Sequence, residues 1–319
     1  MTIRLESVML RPQNENCAAP DATPIPPERQ TTCAVIVTYH PDANLFGRLE
    51  KIAPQVHRTV IVDNGSSEQS VIHLKDIAAR LGSHLILNPS NEGIARALNR
   101  GADWAISEGY AWMLMLDQDT TVAPDIVESL ADIVRHDPWP KNLAVIGSNY
   151  THKMTGQLNA AFQPHDDCAS NEMISVLTSG SLLSLVVYRV LGPFRDDFFI
   201  DCVDHEYCLR ARSHGFRVLM TSKPVMTHGI GHFTEHRLLG KNVGTSNHNP
   251  ARQYFMSRNS VILAKKYLRK EPRWMLNYLQ MWLKATVILC LFEDKRIPKI
   301  KSIVRGCIDG FLGHMNTPG

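Results

Sequence analysis

The sequence lacks the paired cysteines of a disulfide-bonded protein. Its seven cysteines are odd in number and irregularly spaced, and no C-x-x-C pair occurs. The first 31 residues are rich in proline and polar residues, but they hold no apolar run of the kind that forms the core of a secretory signal. There is no internal repeat and no low-complexity tract. These absences predict a cytoplasmic protein with reduced cysteines and a disordered tail over 1–31. A short docking segment is the alternative for the tail.

Net charge is also small, since the formal value for the whole chain is only +3. The charge is unevenly distributed, however. Residues 265–305 contain eleven Lys or Arg and three acids, which makes this segment +8 and the remainder −5. A basic C-terminal region favours an anionic partner surface, and we expect a membrane rather than nucleic acid. An ordinary solvated helix face is the alternative.

The first half of the chain alternates apolar runs with helical patterns. The runs are continuous, which is typical of strands buried on both faces. They lie at 33–40, 59–67, 84–93 and 112–119, and helical patterns lie between them at 45–52, 71–81 and 94–105. This order predicts a parallel, right-handed, three-layer α/β sheet. The second half predicts strands at 143–150, 181–188 and 217–232, a helix at 204–216, a mobile loop at 240–250 and helices from about 251.

Two acids, Asp117 and Asp119, directly follow the fourth strand in the stretch "WMLMLDQDTT". Ligands of parallel sheets bind at the carboxyl ends of the strands, and the other three runs also end in polar residues. Two acids this close repel one another unless a cation lies nearby. Divalent cations take carboxylate oxygens and commonly share their coordination with substrate phosphates. The sequence therefore predicts Mg²⁺ or Mn²⁺ with a diphosphate at this edge.

The same stretch, DQDTT, fits two classes of enzyme. It matches the D-x-D-x-T of haloacid-dehalogenase-like phosphatases, in which the first Asp attacks phosphorus and the second is a general acid. That pattern normally ends the first strand of its domain, whereas three strands precede it here. The alternative is the D-x-D of a nucleotide-sugar transferase, which is expected on about the fourth strand. Position favours the transferase.

Seven stretches in order resemble the inverting family-2 glycosyltransferases, in particular their bacterial rhamnosyltransferase branch. They cover roughly 33–260 and read VIVTYHP, VIVDNGSS, NEGIARALNRG, MLMLDQDT, FIDCVDHEYCLRARSHGFRV, THGIGH and ARQYFMSRN. The resemblance implies a three-layer α/β fold of the GT-A (nucleotide-diphospho-sugar transferase) type, with a mostly parallel central sheet and a C-terminal helical extension. We expect a nucleotide-binding half over 32–122, an acceptor half over 123–260 and a basic amphipathic extension over 261–319.

The resemblance also implies roles for residues that would bind the nucleotide. Thr38 and Tyr39 resemble the segment that meets the base and ribose, and Asp117 would lie nearer the ribose. Asp63 resembles the acid that accepts a hydrogen bond from the N3–H of a pyrimidine, a bond that suits a carboxylate. An Asx turn at the strand end is the alternative for Asp63.

The diphosphate would lie beside the N-x-G-x-x-x-A-x-N pattern formed by Asn91, Gly93 and Asn99. Glycine permits close backbone approach, and a helix N-terminus favours negative charge. Simple helix capping is the alternative. Arg258 would reach the diphosphate or form a surface salt bridge.

The metal ligand is predicted to be Asp119. His228 resembles a histidine that completes the metal shell in parts of the family, and His232 is a second candidate. Imidazole ligates Mn²⁺ more readily than Mg²⁺. A hydrogen-bonded structural role is the alternative for either histidine.

The base that deprotonates the acceptor hydroxyl is predicted from "DCVDHEYCLR". Counting back from Arg210, the resemblance places the base at Asp204, and Val203 stands where the family often carries a first acid. Asp201 therefore stays as the second candidate. At the start of a helix, the dipole would favour the ionised form of Asp204. A plain capping role is the alternative.

The stretch 274–292 approaches transmembrane length, with fifteen apolar residues of nineteen. Asn277, Gln280 and Lys284 fall on one helical face, however, so an in-plane helix at a membrane surface fits better than a span. Packing on the catalytic domain or on a second copy is the alternative, which allows a homo-oligomer through these helices.

The sequence thus predicts an inverting transferase that moves a sugar to a hydroxyl of a glycan or lipid-linked glycan at the inner face of the membrane. The branch resemblance implies dTDP-L-rhamnose as the donor and surface polysaccharide such as O-antigen as the product. Residue chemistry alone does not separate dTDP from UDP. A phosphatase and a non-catalytic membrane adaptor are the other classes considered.

Overall fold

The computed structural model describes residues 25–152, 156, 158, 169–228, 234–238 and 241–315. The strands β1 to β11 are, in order, Thr32–Thr38, Arg58–Asp63, His84–Leu87, Trp112–Asp117, Thr121–Val122, Leu143–His152, Ser170–Glu172, Ser181–Ser184, Arg217–His228, Thr234–Leu238 and Lys241–Thr245. The helices α1 to α9 are Leu45–Ile52, Glu68–Leu81, Ile94–Ser107, Ile126–His136, Leu185–Leu191, Val203–Ser213, Pro250–Tyr267, Pro272–Phe292 and Arg296–Leu312.

One large sheet has the strand order β3-β2-β1-β4-β8-β6-β9-β5, with β7 also paired to β9. The first four strands are mutually parallel, as predicted. The second half is mixed, because β8 runs antiparallel to both β4 and β6. A turn brings the Gly180 N–H to the Met115 carbonyl near the end of β4 (2.8 Å), so the chain re-enters the sheet in the opposite direction. The sheet is therefore parallel over β3, β2, β1 and β4 and mixed beyond them.

Helices cover both faces of the sheet, which gives the predicted three layers. In β1, Cys33, Val35 and Val37 point into one core and Ala34 and Ile36 into the other. The first core is closed by α3, α6 and α7, and the second by α1, α2 and α4. This double burial explains why the strands read as continuous apolar runs.

Two expectations for the second half are wrong. The run 181–188 is a strand only to Ser184, whose hydroxyl then accepts the Val187 N–H and begins α5. The segment 240–250 is not simply a loop, since β11 forms an antiparallel hairpin with β10. Its glycines and asparagines suit a hairpin as well as they suit a loop.

The N-terminal segment packs on the domain within its described part. Residues 29–31 form a 3-10 helix, and the indole N–H of Trp112 donates to the Ile25 carbonyl (2.7 Å). Residues 1–24 of the predicted tail lie outside the described residues.

Helix α9 packs closely on α7 through two glycines. A methyl group at Gly310 would lie 2.5 Å from the carbonyl oxygen of Arg258, and one at Gly306 would overlap the carbonyl oxygen of Tyr254. Both glycines are buried, whereas a methyl group at Gly47 in α1 would meet nothing within 4 Å. The glycines thus fix the distance between the two helices.

We predict that Gly310→Ala lowers the free energy of unfolding by about 1–3 kcal/mol, because the methyl group forces α9 away from α7. Gly47→Ala is the matched control, and it should be neutral or stabilising by up to about 1 kcal/mol. Urea denaturation of both variants measures the difference. Equal effects of the two substitutions would contradict the close packing.

Candidate active site

The carboxyl ends of β1, β2 and β4 meet at one edge of the sheet. Thr38 is paired with Asp63, and Val37 is paired with Asp117, so three of the predicted site residues lie in adjacent strands. The amide of Gln118 joins β4 to β1, because it accepts the Tyr39 N–H (2.8 Å) and donates to the Tyr39 carbonyl (3.1 Å). Tyr39 is exposed at this edge.

Asp63 is buried at the end of β2, where it accepts hydrogen bonds from β1 and from the turn that follows β2. Its carboxylate accepts from the Thr38 hydroxyl (3.1 Å), the Ser66 hydroxyl (2.5 Å) and the Ser66 N–H (2.9 Å). This turn is the structural alternative considered from the sequence. A carboxylate has about four lone-pair sites, so these three bonds leave capacity for one further donor.

The residues of the N-x-G-x-x-x-A-x-N pattern separate into two groups. The Asn91 side chain accepts from Asn64 (2.9 Å) and from the Gly93 N–H (3.1 Å), next to the end of β2. Asn99 instead lies in the core, where it donates to the Phe194 carbonyl (2.8 Å) and to Asp196 (2.5 Å). The structure therefore brings Asn91 to the strand ends but not Asn99.

Gly93 has a φ of +87°. We expected it to allow close approach of a diphosphate, and in the structure its backbone approaches Phe199 instead. A Cβ there would lie 2.6 Å from the Phe199 carbonyl oxygen. The next residue, Ile94, donates its N–H to that same oxygen (2.7 Å). Glycine at this position thus allows the start of α3 to contact the loop that follows Phe198.

The two acids after β4 differ in their environment. Asp119 is exposed, whereas Asp117 is half-buried and its N–H donates to the Ser179 hydroxyl (3.0 Å). Desolvation, and then repulsion from Asp119 and Asp204, raises the pKa of Asp117 to about 7, and Arg252 partly offsets this rise. The acids of the two halves of the domain are therefore close enough to interact.

The donor set at this edge suits a hard cation held jointly with a ligand. The described residues contain no group of three His, Cys, Asp or Glu side chains arranged around one metal position. Mg²⁺-type sites that share substrate phosphates commonly use only one or two carboxylates, and Asp117 and Asp119 supply two. A cation bound between these two carboxylates would offset their mutual repulsion.

The backbone also brings His228 towards these acids. β5 and β9 pair Thr121 with Thr227 in antiparallel register, and continuing that register by one residue places His228 opposite Thr120. Its side chain and the whole of His232 lie outside the described residues.

The loop before α6 is strained and tightly held. Phe199, Asp201 and Cys202 all have φ values of 60–63°, which non-glycine residues rarely adopt. The Asn259 amide donates to the carbonyls of Phe198, Ile200 and Asp201, each at 2.9 Å. One side chain on α7 therefore fixes the backbone that leads to Asp204.

Arg258 is buried beside Asn259 rather than placed at the strand ends. It donates to the carbonyl of Asp197 and to the Asn259 side-chain oxygen (3.1 Å). These contacts support the same loop. The arginine whose charge acts on Asp117 is instead Arg252.

The two predicted base candidates have different partners. Both oxygens of Asp201 accept from Arg252 (2.9 Å each) in a bidentate pair. One oxygen of Asp204 accepts the backbone N–H of His205 (2.8 Å), and no described residue donates to the other oxygen. The ring nitrogen Nδ1 of His205 is hydrogen-bonded to the Ser175 hydroxyl (2.7 Å). Asp204 thus retains a lone pair for an incoming hydroxyl.

Sequence reasoning assigned no role to Arg252, Asn259 or Ser179. The first two lie in the quoted stretch ARQYFMSRN. For Asn259, the sequence signal was the run of four consecutive polar residues from Ser257 to Ser260. All four are buried in α7. Buried polar side chains need partners, and here the partners are loop carbonyls.

The geometry agrees with comparisons to known proteins. The family model of Glycosyl transferase family 2 matches residues 33–163, which confirms over this segment the resemblance seen in the motifs. The dTDP-rhamnosyl transferase RfbF of Shigella flexneri is 26% identical over 295 residues, which are 88% of this chain and 95% of RfbF.

Two solved structures share the fold. The S. aureus TarS 1-349 structure has a TM-score of 0.60 at 14% identity and covers 90% of this chain, which spans 82% of that chain. The mannosyltransferase PcManGT from Pyrobaculum calidifontis, solved with GDP-Man and Mn²⁺, has a TM-score of 0.56 at 14% identity. The match covers 92% of this chain and 90% of PcManGT. The protein is a glycosyltransferase with the GT-A fold.

The phosphatase alternative gains no support, because DQDTT ends β4 and not β1.

We predict that Asp117→Asn stabilises the metal-free protein at pH 8 by about 1–3 kcal/mol, because it removes a desolvated and repelled charge. The pKa of Asp117 is raised in the folded state, so ionisation costs stability as pH rises from about 4 to 7. The advantage of the variant should therefore shrink at pH 5.

Thermal unfolding in EDTA at both pH values measures this effect. Asp119→Asn is the comparison: it removes one source of repulsion but leaves Asp117 desolvated, so it should stabilise the protein less than Asp117→Asn does. A destabilised Asp117→Asn protein at pH 8 would contradict the assigned electrostatics.

Proposed function

We propose that this chain is an inverting glycosyltransferase that moves L-rhamnose from dTDP-L-rhamnose to a hydroxyl of a glycan or lipid-linked glycan. The observation that carries the proposal is that Thr38, Asp63 and Asp117 lie together at the carboxyl ends of the adjacent strands β1, β2 and β4. Asp204 adds to this arrangement, because its charge helps to raise the pKa of Asp117. Similarity to RfbF over most of both chains supports the donor. The free cysteines among the described residues are consistent with a cytoplasmic enzyme.

The nucleotide would lie across the ends of β1, β2 and β4. In this arrangement the fourth lone-pair site of Asp63 accepts the pyrimidine N3–H, and exposed Tyr39 lies against the base or ribose. Asp117 faces the ribose and Asn91 the diphosphate. Asp119, with His228, would hold Mg²⁺ or Mn²⁺, which neutralises the charge of the leaving diphosphate when bound.

Transfer would be a single displacement. The acceptor oxygen forms a bond to the anomeric carbon while the bond from that carbon to the diphosphate breaks on the opposite face. Asp204, in the first turn of α6, takes the proton of the hydroxyl. Asp201, paired with Arg252, would position the loop instead.

We predict that Asp204→Asn reduces transfer about 10²–10⁴-fold while nucleotide affinity stays unchanged, because only the proton acceptor is lost. Asp201→Asn, the matched control in the same loop, should keep more than a tenth of the activity. Single-turnover rates and calorimetry on both variants make the test. Full activity of Asp204→Asn beside an inactive Asp201→Asn would reverse the assignment.

We also predict metal-dependent nucleotide binding. Calorimetry with dTDP, UDP and GDP, each in Mg²⁺, Mn²⁺ or EDTA, should give tightest binding for dTDP with metal. Asp119→Asn should weaken that binding at least about tenfold by removing a ligand oxygen, whereas Asp76→Asn on exposed α2 should not. Preference for UDP would replace the donor, and absence of binding to any nucleotide would refute the proposal.

A further inference from the structure

The outward faces of α8 and α9 carry an unusual share of the exposed apolar surface. Ten of the twenty large apolar side chains exposed in the described part of the chain lie on these two helices. They are Leu276, Leu283, Val287 and Leu291 on α8, and Ile297, Ile300, Val304, Ile308, Phe311 and Leu312 on α9. We call this set the apolar face. A concentration of this kind marks an interaction surface.

Each helix is held to the protein by its opposite side. On α9 the buried residues Ile303, Gly306 and Gly310 face α7, and on α8 Trp274 and Leu289 are buried. Members of the apolar face are three, four or seven residues apart, except for the adjacent Phe311 and Leu312, and this spacing places them on one side of each helix. The apolar face is therefore presented to solvent by helices anchored on the domain.

Unpaired cations lie on the same two helices and on the turn between them. Arg273, Lys284, Lys295 and Lys301 are exposed and form no ion pair with any described residue. Lys284 follows Leu283 directly, and Lys301 lies one turn from Ile297. Long basic side chains can extend from an apolar face to anionic headgroups. Charge complementarity thus selects an anionic lipid surface as the occupant.

Helix α8 fits this surface lying in the plane of the membrane. It is long and apolar enough to cross a membrane by composition, and only 11% of that window is buried. Its inner side, however, contacts the active-site loop: the Tyr278 hydroxyl lies 3.0 Å from the Cys202 sulfur and 2.9 Å from the Ser260 hydroxyl. A spanning orientation would break these contacts and place Lys284 in hydrocarbon.

The same contacts connect the surface to the acceptor side of the site. Trp274 and Tyr278 stack on each other and both meet the His205 ring edge-on. His205 directly follows Asp204 in α6. Docking of α8 would therefore hold the proposed base close to the headgroup layer.

We propose that the apolar face of α8 and α9 docks the enzyme on an anionic lipid bilayer and presents the active site to an acceptor carried in that bilayer. The choice of acceptor rests on the proposed function, whereas the docking does not. The surface takes lipid through insertion of apolar side chains, with Arg273, Lys284, Lys295 and Lys301 contacting headgroup phosphates.

The test is co-sedimentation of the full chain with vesicles of phosphatidylcholine alone or of phosphatidylcholine with phosphatidylglycerol. We expect binding to the anionic vesicles that falls at least tenfold when salt is raised from 0.1 to 0.5 M. Leu283→Asp with Ile308→Asp, and separately Lys284→Glu with Lys301→Glu, should each weaken binding more than tenfold. Ile72→Asp and Lys75→Glu on α2 are the matched controls and should bind normally.

Every variant lies on the surface, so circular dichroism and dTDP calorimetry should match the wild type and show that the fold is intact. Nucleotide binding without vesicle binding would overturn docking and leave the proposed function standing. Equal losses in the α2 controls would also overturn it. A dimer in sedimentation equilibrium that both α8–α9 variants dissociate, without vesicle binding, would assign the face to a second copy instead.

Discussion

The side-chain amide of Asn259 is the interaction on which the arrangement of the site depends. It holds three carbonyls of a loop in which three non-glycine residues have left-handed φ values. Such a backbone persists only where its surroundings over-determine it. Arg258 reinforces the same loop, and Gly93 leaves room for it against the start of α3. The position of Asp204 is thus set by α7, about fifty residues later in the chain.

A second constraint is electrostatic. At the end of β4, burial and then repulsion from Asp119 and Asp204 raise the pKa of Asp117. This arrangement is unfavourable in the protein alone, although Arg252 offsets part of the repulsion. Under the proposed function it would become favourable once a cation and a diphosphate bound, because the cation would interact with both sets of anions. Relief of this repulsion would then contribute to the free energy of binding the proposed donor with its metal.

The C-terminal helices connect these constraints to the outer surface. α7 carries Asn259, α9 lies on α7 through two glycines, and the inner side of α8 contacts Cys202 and His205. The apolar face and the active-site loop are therefore joined through a short series of direct contacts. Under the docking proposal, the helices that hold the loop in its strained form also place it beside the membrane.

The sequence by itself determined the three-layer first half of the domain, because continuous apolar runs and amphipathic patterns are local signals. It also placed Thr38, Asp63 and Asp117 at strand ends, which parallel pairing necessarily brings together. It could not reveal that Asn99 and Arg258 donate to the backbone carbonyls of Phe194 and Asp197, that Arg252 pairs with Asp201, or that β8 turns antiparallel after β4. These features depend on contacts between segments fifty to a hundred residues apart, and only tertiary packing decides which polar groups then become partners.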